Sequence, residues 1–151
     1  VVVGKTLRNA SPEEALAAVA GYTIMSDISV RDWQMRTSQF LSGKTFEGMT
    51  PVGPWMVTAD RLGDGSGLAI RTEVNGVTKQ ESNTDQLVFN TATILSDLST
   101  IMTLDVGDIV ATGTPGGVGR ARKPPEFLLD GDELVTTIEG IGHCKNKIVA
   151  R

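Results

Sequence analysis

The dipeptide Asn75-Gly76 is the feature that most constrains what this chain can fold into. It joins two β-forming runs, residues 68–74 and 77–80. A two-residue type I′ turn needs positive φ at both central positions, which Asn and Gly tolerate. Leu68, Ile70, Thr72 and Val74 then share one face of the first strand. An antiparallel hairpin at mid-chain is incompatible with a fold made only of βαβ units.

The remaining patterns fill in around this hairpin. Residues 1–3 read as part of a strand. Ser11-Pro12-Glu13-Glu14 starts a helix, with Ser at the N-cap, Pro at the first helical position and Glu three residues after the cap. That helix is expected over 12–20, with Leu16, Val19 and Ala20 on one side and Gly21 as its end. Residues 22–25 are β-like, 31–41 hold one or two short helical turns, and 55–57 form a short apolar run beside Pro51 and Pro54. Apolar residues from Leu87 to Met102 recur at helical spacing, which predicts a helix beginning at Asn83 or Thr84. Strands are expected at 109–112, 134–138 and 148–149, with a glycine-rich loop at 113–119 and a basic loop at 120–125. The reading is a mixed β (α+β) domain without repeats or linkers.

The 151 residues amount to one domain, able to bury roughly 68–70% of the unfolded surface. Fourteen basic against 18 acidic residues give a net charge of −4, which disfavours nucleic acid as the partner. No apolar run approaches the roughly 20 residues of a membrane helix. The single cysteine, Cys144, excludes an internal disulfide and fits a reducing compartment, so a cytoplasmic location is expected.

The densest chemistry lies in Ser26-Asp27-Ile28-Ser29-Val30-Arg31-Asp32-Trp33-Gln34, directly after an apolar strand and ten residues before Lys44. Two carboxylates, a guanidinium and a carboxamide at a strand end suit a catalytic cluster. The same residues also suit a plain helix start, with Asp27 or Ser29 capping and Arg31 and Asp32 solvated. Gly43-Lys44-Thr45 is not a phosphate loop, because Phe40 and Leu41 occupy positions that would have to cradle phosphate. Spacing alone reads Lys44 as a surface lysine. Gly113 to Gly119 serves either as a turn or as a backbone nest for a carboxylate, with the Thr114 hydroxyl pointing into it. His143 and Cys144 are adjacent on a strand and so face opposite sides, which argues against a nucleophile pair.

Residues Gly21 through Gln34 resemble the signature of the fumarylacetoacetate hydrolase family. The resemblance continues in order through Gly43-Lys44-Thr45-Phe46-Glu47-Gly48, Pro51-Val52-Gly53-Pro54-Trp55, Val74-Asn75-Gly76 and Thr84-Asp85-Gln86-Leu87-Val88-Phe89. It ends with Met102-Thr103-Leu104, Gly107-Asp108-Ile109-Val110-Ala111-Thr112-Gly113-Thr114-Pro115, Gly117-Val118-Gly119 and Gly140-Ile141-Gly142. It implies a β-sandwich roll with a few short helices, an acidic triad holding Mg²⁺ or Mn²⁺, and a homodimer.

Within that resemblance Asp27 matches one metal carboxylate and Lys44 the catalytic lysine. Arg31 and Gln34 match polar residues lining the site, and Gly113 and Thr114 the loop that receives a substrate carboxylate. Residues 1–151 correspond to the C-terminal portion of a catalytic domain. The Glu-x-Glu pair completing the triad, and a lid with a water-activating Glu/His pair, are expected upstream of Val1. The implied activity is hydrolysis of a C–C bond in a small acylpyruvate such as fumarylpyruvate, through a metal-stabilised enolate, as in aromatic catabolism. An oxaloacetate-type decarboxylase and a 2-hydroxymuconate-type isomerase are the alternatives on the same scaffold. A non-catalytic fragment that binds small acids or dimerises is the alternative of another class.

Overall fold

Hydrogen-bonded pairing organises the chain into two antiparallel sheets, described for residues 1–149 in a computed structural model. β1 (Val2–Val3), β2 (Val19–Met25) and β3 (Val52–Thr58) form the first sheet, in that order. β4 (Ala69–Val74), β5 (Val77–Asn83), β6 (Glu133–Ile138) and β7 (Gly142–Lys147) form the second, in the order β5-β4-β6-β7. Among the described residues are the α-helices α1 (Pro12–Ala17), α2 (Arg31–Gln34), α3 (Ala59–Leu62) and α4 (Thr91–Ile101), with short 3₁₀ turns between elements. The expected mixed α+β architecture is what the structure shows.

The hairpin forms as expected. Asn75 and Gly76 have φ of 51° and 77°, and Val74 pairs with Val77 across the turn. The Asn75 carboxamide also ties the turn to the next strand: its Nδ2 donates to Asp132 Oδ1 at 2.8 Å, and its Oδ1 accepts from Glu133 N at 2.9 Å.

Two cores sit on either side of β2. Val3, Leu7, Ala15, Ala18, Leu95 and Leu104 form one, where α1 packs on α4. Tyr22, Ile24, Ile141 and Cys144 form the other, between β2 and the β6–β7 edge. Ser11 caps α1 reciprocally: its Oγ accepts from Glu14 N at 3.2 Å while its N donates to Glu14 Oε2 at 2.8 Å. Arg8 Nη1 donates to the Ser99 and Thr100 carbonyls at 2.6 and 2.8 Å, satisfying the C-terminal end of α4.

Four local expectations are corrected. The first helix ends at Ala17, and Gly21 lies inside β2 rather than terminating it. Gly21 is required by close approach, since a Cβ there would sit 2.3 Å from Val57 O on β3. The second helix begins at Thr91, capped by Asn90, whose Oδ1 accepts from Thr93 N at 2.9 Å. Asn83 caps only a 3₁₀ turn, Thr84–Gln86, and residues 87–89 separate the two. Residues 109–112 make a single bridge, Val2 to Ile109, instead of a strand. The final strand is β7, and Ile148 and Val149 follow it outside any strand.

Candidate active site

The end of β2 delivers Asp27, and the loop that follows folds back to bring Lys44 to it. Ile28 N donates to Ser26 O at 3.0 Å and Val30 N to Gly43 O at 3.0 Å, closing the loop on itself. A 3₁₀ turn, Leu41–Gly43, positions Lys44, whose N donates to Leu41 O at 2.9 Å. Lys44 Nζ then donates to Asp27 Oδ2 at 2.5 Å. Both side chains remain partly open to solvent, at 27% for Lys44 and 45% for Asp27.

The first turn of α2 presents the other two candidates. Arg31 Nη1 donates to Gln34 Oε1 at 2.8 Å, and Gln34 is buried. With its oxygen engaged by Arg31, Gln34 keeps its Nε2 protons for another acceptor. Gly43 packs so closely on α2 that a Cβ would lie 2.5–2.7 Å from Gln34 Cβ, Cα and N. The Gly43→Ala variant is therefore expected to lose about 1–3 kcal/mol of stability, as overpacked sites do. Activity should fall with it, because Gln34 and Lys44 flank the strained contact. Denaturant melts check this, and a change below about 0.5 kcal/mol would contradict the packing argument. Trp33 and Phe46 stack edge-to-face at 5.4 Å, and the Arg36 guanidinium lies 3.6 Å above the Trp33 ring, so the loop has its own aromatic anchor.

Gly113 and Thr114 belong to a second cluster, on the β5 edge. Thr114 Oγ1 accepts from Gln80 Nε2 at 2.9 Å, and the same nitrogen donates to Pro115 O at 2.8 Å. Further along, Gly117 packs where a Cβ would stand 2.3 Å from Lys79 O. Arg122 donates to that same Lys79 carbonyl and, through Nε at 3.1 Å, to Gly117 O. Lys79 Nζ donates to Glu126 Oε2 at 2.6 Å.

A row of polar side chains connects the two clusters. Ser26, next to Asp27, shares a hydrogen bond with Thr136 of β6 at 2.9 Å between hydroxyl oxygens. Thr136 is paired with Thr72 and Thr72 with Gln80, so the three share one face of the sheet. Gln80 and Thr136 are thus two strand spacings apart, about 10 Å. A cavity of about 510 Å³ between β3, α3 and the β6–β7 turn, with Trp55, Arg61 and Ile141 on its walls, contains none of these residues.

Sequence reasoning missed Gln80, Lys79, Arg122 and Glu126. The basic composition of 120–125 was a signal for Arg122, but its acceptors could only be found in space. Glu126 is held below the ordinary glutamate range, foremost by the hydrogen bond from Lys79, with the charges of Lys79 and Arg122 adding to it and desolvation opposing. A carboxylate depressed in the folded state contributes stability above its unfolded pKa, which is lost as pH falls through the folded value. Acidification below the ordinary glutamate range should therefore loosen the loop, seen as lower protection of the Ala121 and Glu126 amides. Protection factors that stay unchanged while the Glu126 carboxylate is titrated would contradict this.

One carboxylate does not make a divalent-cation centre. No group of three His, Cys, Asp or Glu side chains able to hold a metal converges among the described residues, and Asp27 is engaged by an ammonium group. Hard cations take six or more oxygens, several of them usually carboxylates or water. The described residues therefore do not by themselves fit a bound Mg²⁺ or Mn²⁺.

The chain superimposes on the fumarylacetoacetate hydrolase EaFAH from psychrophilic Exiguobacterium antarcticum with a TM-score of 0.95, at 43% identity, covering 99% of this chain and 54% of that one. It also matches the fumarylpyruvate hydrolase from Pseudomonas aeruginosa in complex with Mn²⁺ and pyruvate, with a TM-score of 0.89 at 31% identity, over 99% of this chain and 63% of that one. The family described as fumarylacetoacetate (FAA) hydrolase C-terminal matches residues 1–149, and the chain belongs to that family. It is 47% identical over 150 residues to the mitochondrial oxaloacetate tautomerase Fahd2a of Rattus norvegicus, covering 99% of this chain and 48% of the relative. The chain spans about half the length of the curated relatives it matches. No helix among the described residues is long and apolar enough to cross a membrane.

Proposed function

We propose that this chain carries the enolate-stabilising part of an enzyme that interconverts keto and enol forms of a small 2-oxo diacid such as oxaloacetate. The observation that carries the proposal is Lys44 Nζ beside Asp27, in the same loop as the Arg31–Gln34 pair. As a proton leaves the carbon next to the keto group, negative charge collects on the keto oxygen. The Lys44 ammonium has three protons, spends one on Asp27 and keeps two for that oxygen. Gln34 Nε2 and the Thr114 hydroxyl hold the carboxylate ends and fix the orientation. Lys44 gives a proton to the enolate oxygen while water takes the proton from carbon and returns one to Lys44, so atoms and charge balance with solvent alone. The similarity to the rat oxaloacetate tautomerase supports this reaction over the others.

Acylpyruvate hydrolysis is the second reading, favoured by the similarity to the Pseudomonas fumarylpyruvate hydrolase. A divalent cation, Mg²⁺ or Mn²⁺, is proposed as cofactor, with Asp27 contributing one ligand and the other ligands coming from outside residues 1–149. Its support is the Mn²⁺ in that Pseudomonas structure. When bound, it would supply Lewis-acid stabilisation of the enolate. A homodimer, and a cytoplasmic location consistent with the single cysteine, complete the proposal, although the rat relative is named mitochondrial.

The test is to follow the loss of oxaloacetate enol absorbance with the full chain against buffer alone, and to offer fumarylpyruvate in parallel. Enol loss above the buffer rate, with no pyruvate formed, supports the proposal. Release of pyruvate and a free acid from fumarylpyruvate establishes hydrolysis. Pyruvate and CO₂ from oxaloacetate make it a decarboxylase, and turnover of neither substrate overturns the enzymatic reading.

A further inference from the structure

We propose that Gln80 is a positioning residue that sets the polarity of the Thr114 hydroxyl and so makes the 113–119 loop select carboxylates over neutral groups. The inference rests on the proposed role of Thr114 and adds the residue that makes that role work.

The argument begins with a count of protons. Pro115 O can only accept, so the Gln80 atom facing it at 2.8 Å must be the amide nitrogen, which fixes the carboxamide's orientation. The second Nε2 proton goes to Thr114 Oγ1 at 2.9 Å. A hydroxyl that accepts from a donor keeps its own proton to give. Thr114 is exposed, so that proton is available to a ligand's anionic oxygen. Had the hydroxyl been donating to an acceptor on the chain, it would offer only lone pairs and repel a carboxylate.

The nearby cations are already engaged within the loop. Lys79 is paired with Glu126, and Arg122 is spent on Glu126 and the carbonyls of Lys79 and Gly117. The Thr114 hydroxyl adds a directed donor beside them.

A β-bulge brings Gln80 to this position. Glu73 pairs with Thr78 and Thr72 with Gln80, leaving Lys79 as an extra residue without a partner in the ladder. One extra residue flips the facing of everything after it. Unbulged, β5 would set Gln80 opposite Arg71 on the other face. The bulge also frees the Lys79 carbonyl, which Arg122 and Gly117 meet.

The test uses the full chain carrying Gln80→Met, of similar length but without donors, together with Thr114→Val and the double variant. Steady-state kinetics on oxaloacetate are combined with inhibition by malonate, a small dianion, and by malonamide, its neutral counterpart. Gln80→Met is expected to raise KM about three- to tenfold, the worth of one ordinary hydrogen bond, with kcat retained. The preference for malonate over malonamide should fall by a similar factor. The double variant should fall no further than Thr114→Val alone, because one hydroxyl proton can be lost only once. Additive effects, or equal weakening of both inhibitors by Gln80→Met, overturn the proposal. Should Gln80→Met fail to fold by thermal melt, Gln80→Glu is read in the same cycle. Its carboxylate would take the Thr114 proton, and the malonate preference should drop further still. An unchanged preference in Thr114→Val instead overturns the reading of the loop itself, separately from Gln80.

Discussion

Replacing Lys44 by alanine is expected to lower kcat by about 10²–10³-fold while the melting curve barely moves. The two effects separate because they draw on different environments. The Lys44–Asp27 pair is partly solvated, and such pairs add at most about 1 kcal/mol to folding. In the reaction the same ammonium meets an oxygen that gains nearly a full charge, and a preorganised donor there is worth about 3–4 kcal/mol. Lys44→Arg should not restore the rate, since a planar guanidinium cannot reproduce a compact charge with tetrahedral donors. Single-turnover rates with oxaloacetate, alongside circular dichroism to show the fold intact, decide the matter. Full activity in Lys44→Ala removes this residue from the mechanism.

Leu95→Ala should produce the largest loss of stability, about 2–5 kcal/mol. Leu95 is fully buried on α4, among Val3, Leu7, Ala15, Ala18 and Leu104. These neighbours come from β1, α1 and the segments beside them, so the side chain holds three parts of the chain around one point. Backbone hydrogen bonds fix those segments, Leu7 N to Leu104 O at 2.9 Å and Asn9 N to Ser99 O at 2.9 Å among them. They cannot collapse inward, and a cavity remains. Urea melts measure the effect, and a loss under about 1 kcal/mol would mean that this core relaxes around the gap. The Asp27–Lys44 pair lies outside this cluster, so the residual native fraction should keep its kcat.

Much of the architecture was legible because short-range chemistry decides it. Asn75-Gly76 and the Ser11–Glu14 capping box are complete within a few residues, and both form as expected. Gly21 was misread because a glycine that ends a helix looks the same as one a neighbouring strand presses against. The start of α4 was misplaced because Leu87 continues a helical spacing, whereas Val88 and Phe89 are exposed and Asn90 caps two turns later than Asn83. In the candidate site, Asp27 pairs with Lys44 and Arg31 with Gln34 within one loop, so these pairings could be sought along the chain. Gln80 could not be found this way. Plain alternation through β5 places it with the solvent-facing residues, and only the unpaired Lys79 reverses it.

The hairpin turn also has a consequence for how the protein ages. In an Asn-Gly pair the glycine amide nitrogen can attack the asparagine side-chain carbon, forming a succinimide that opens to aspartate or isoaspartate. At Asn75 that carbon belongs to a carboxamide gripped at both ends, by Asp132 Oδ1 and Glu133 N. Deamidation here requires the turn to let go of β6 first. The slow mass gain of a peptide containing Asn75 therefore acts as a clock for opening at the far tip of the second sheet.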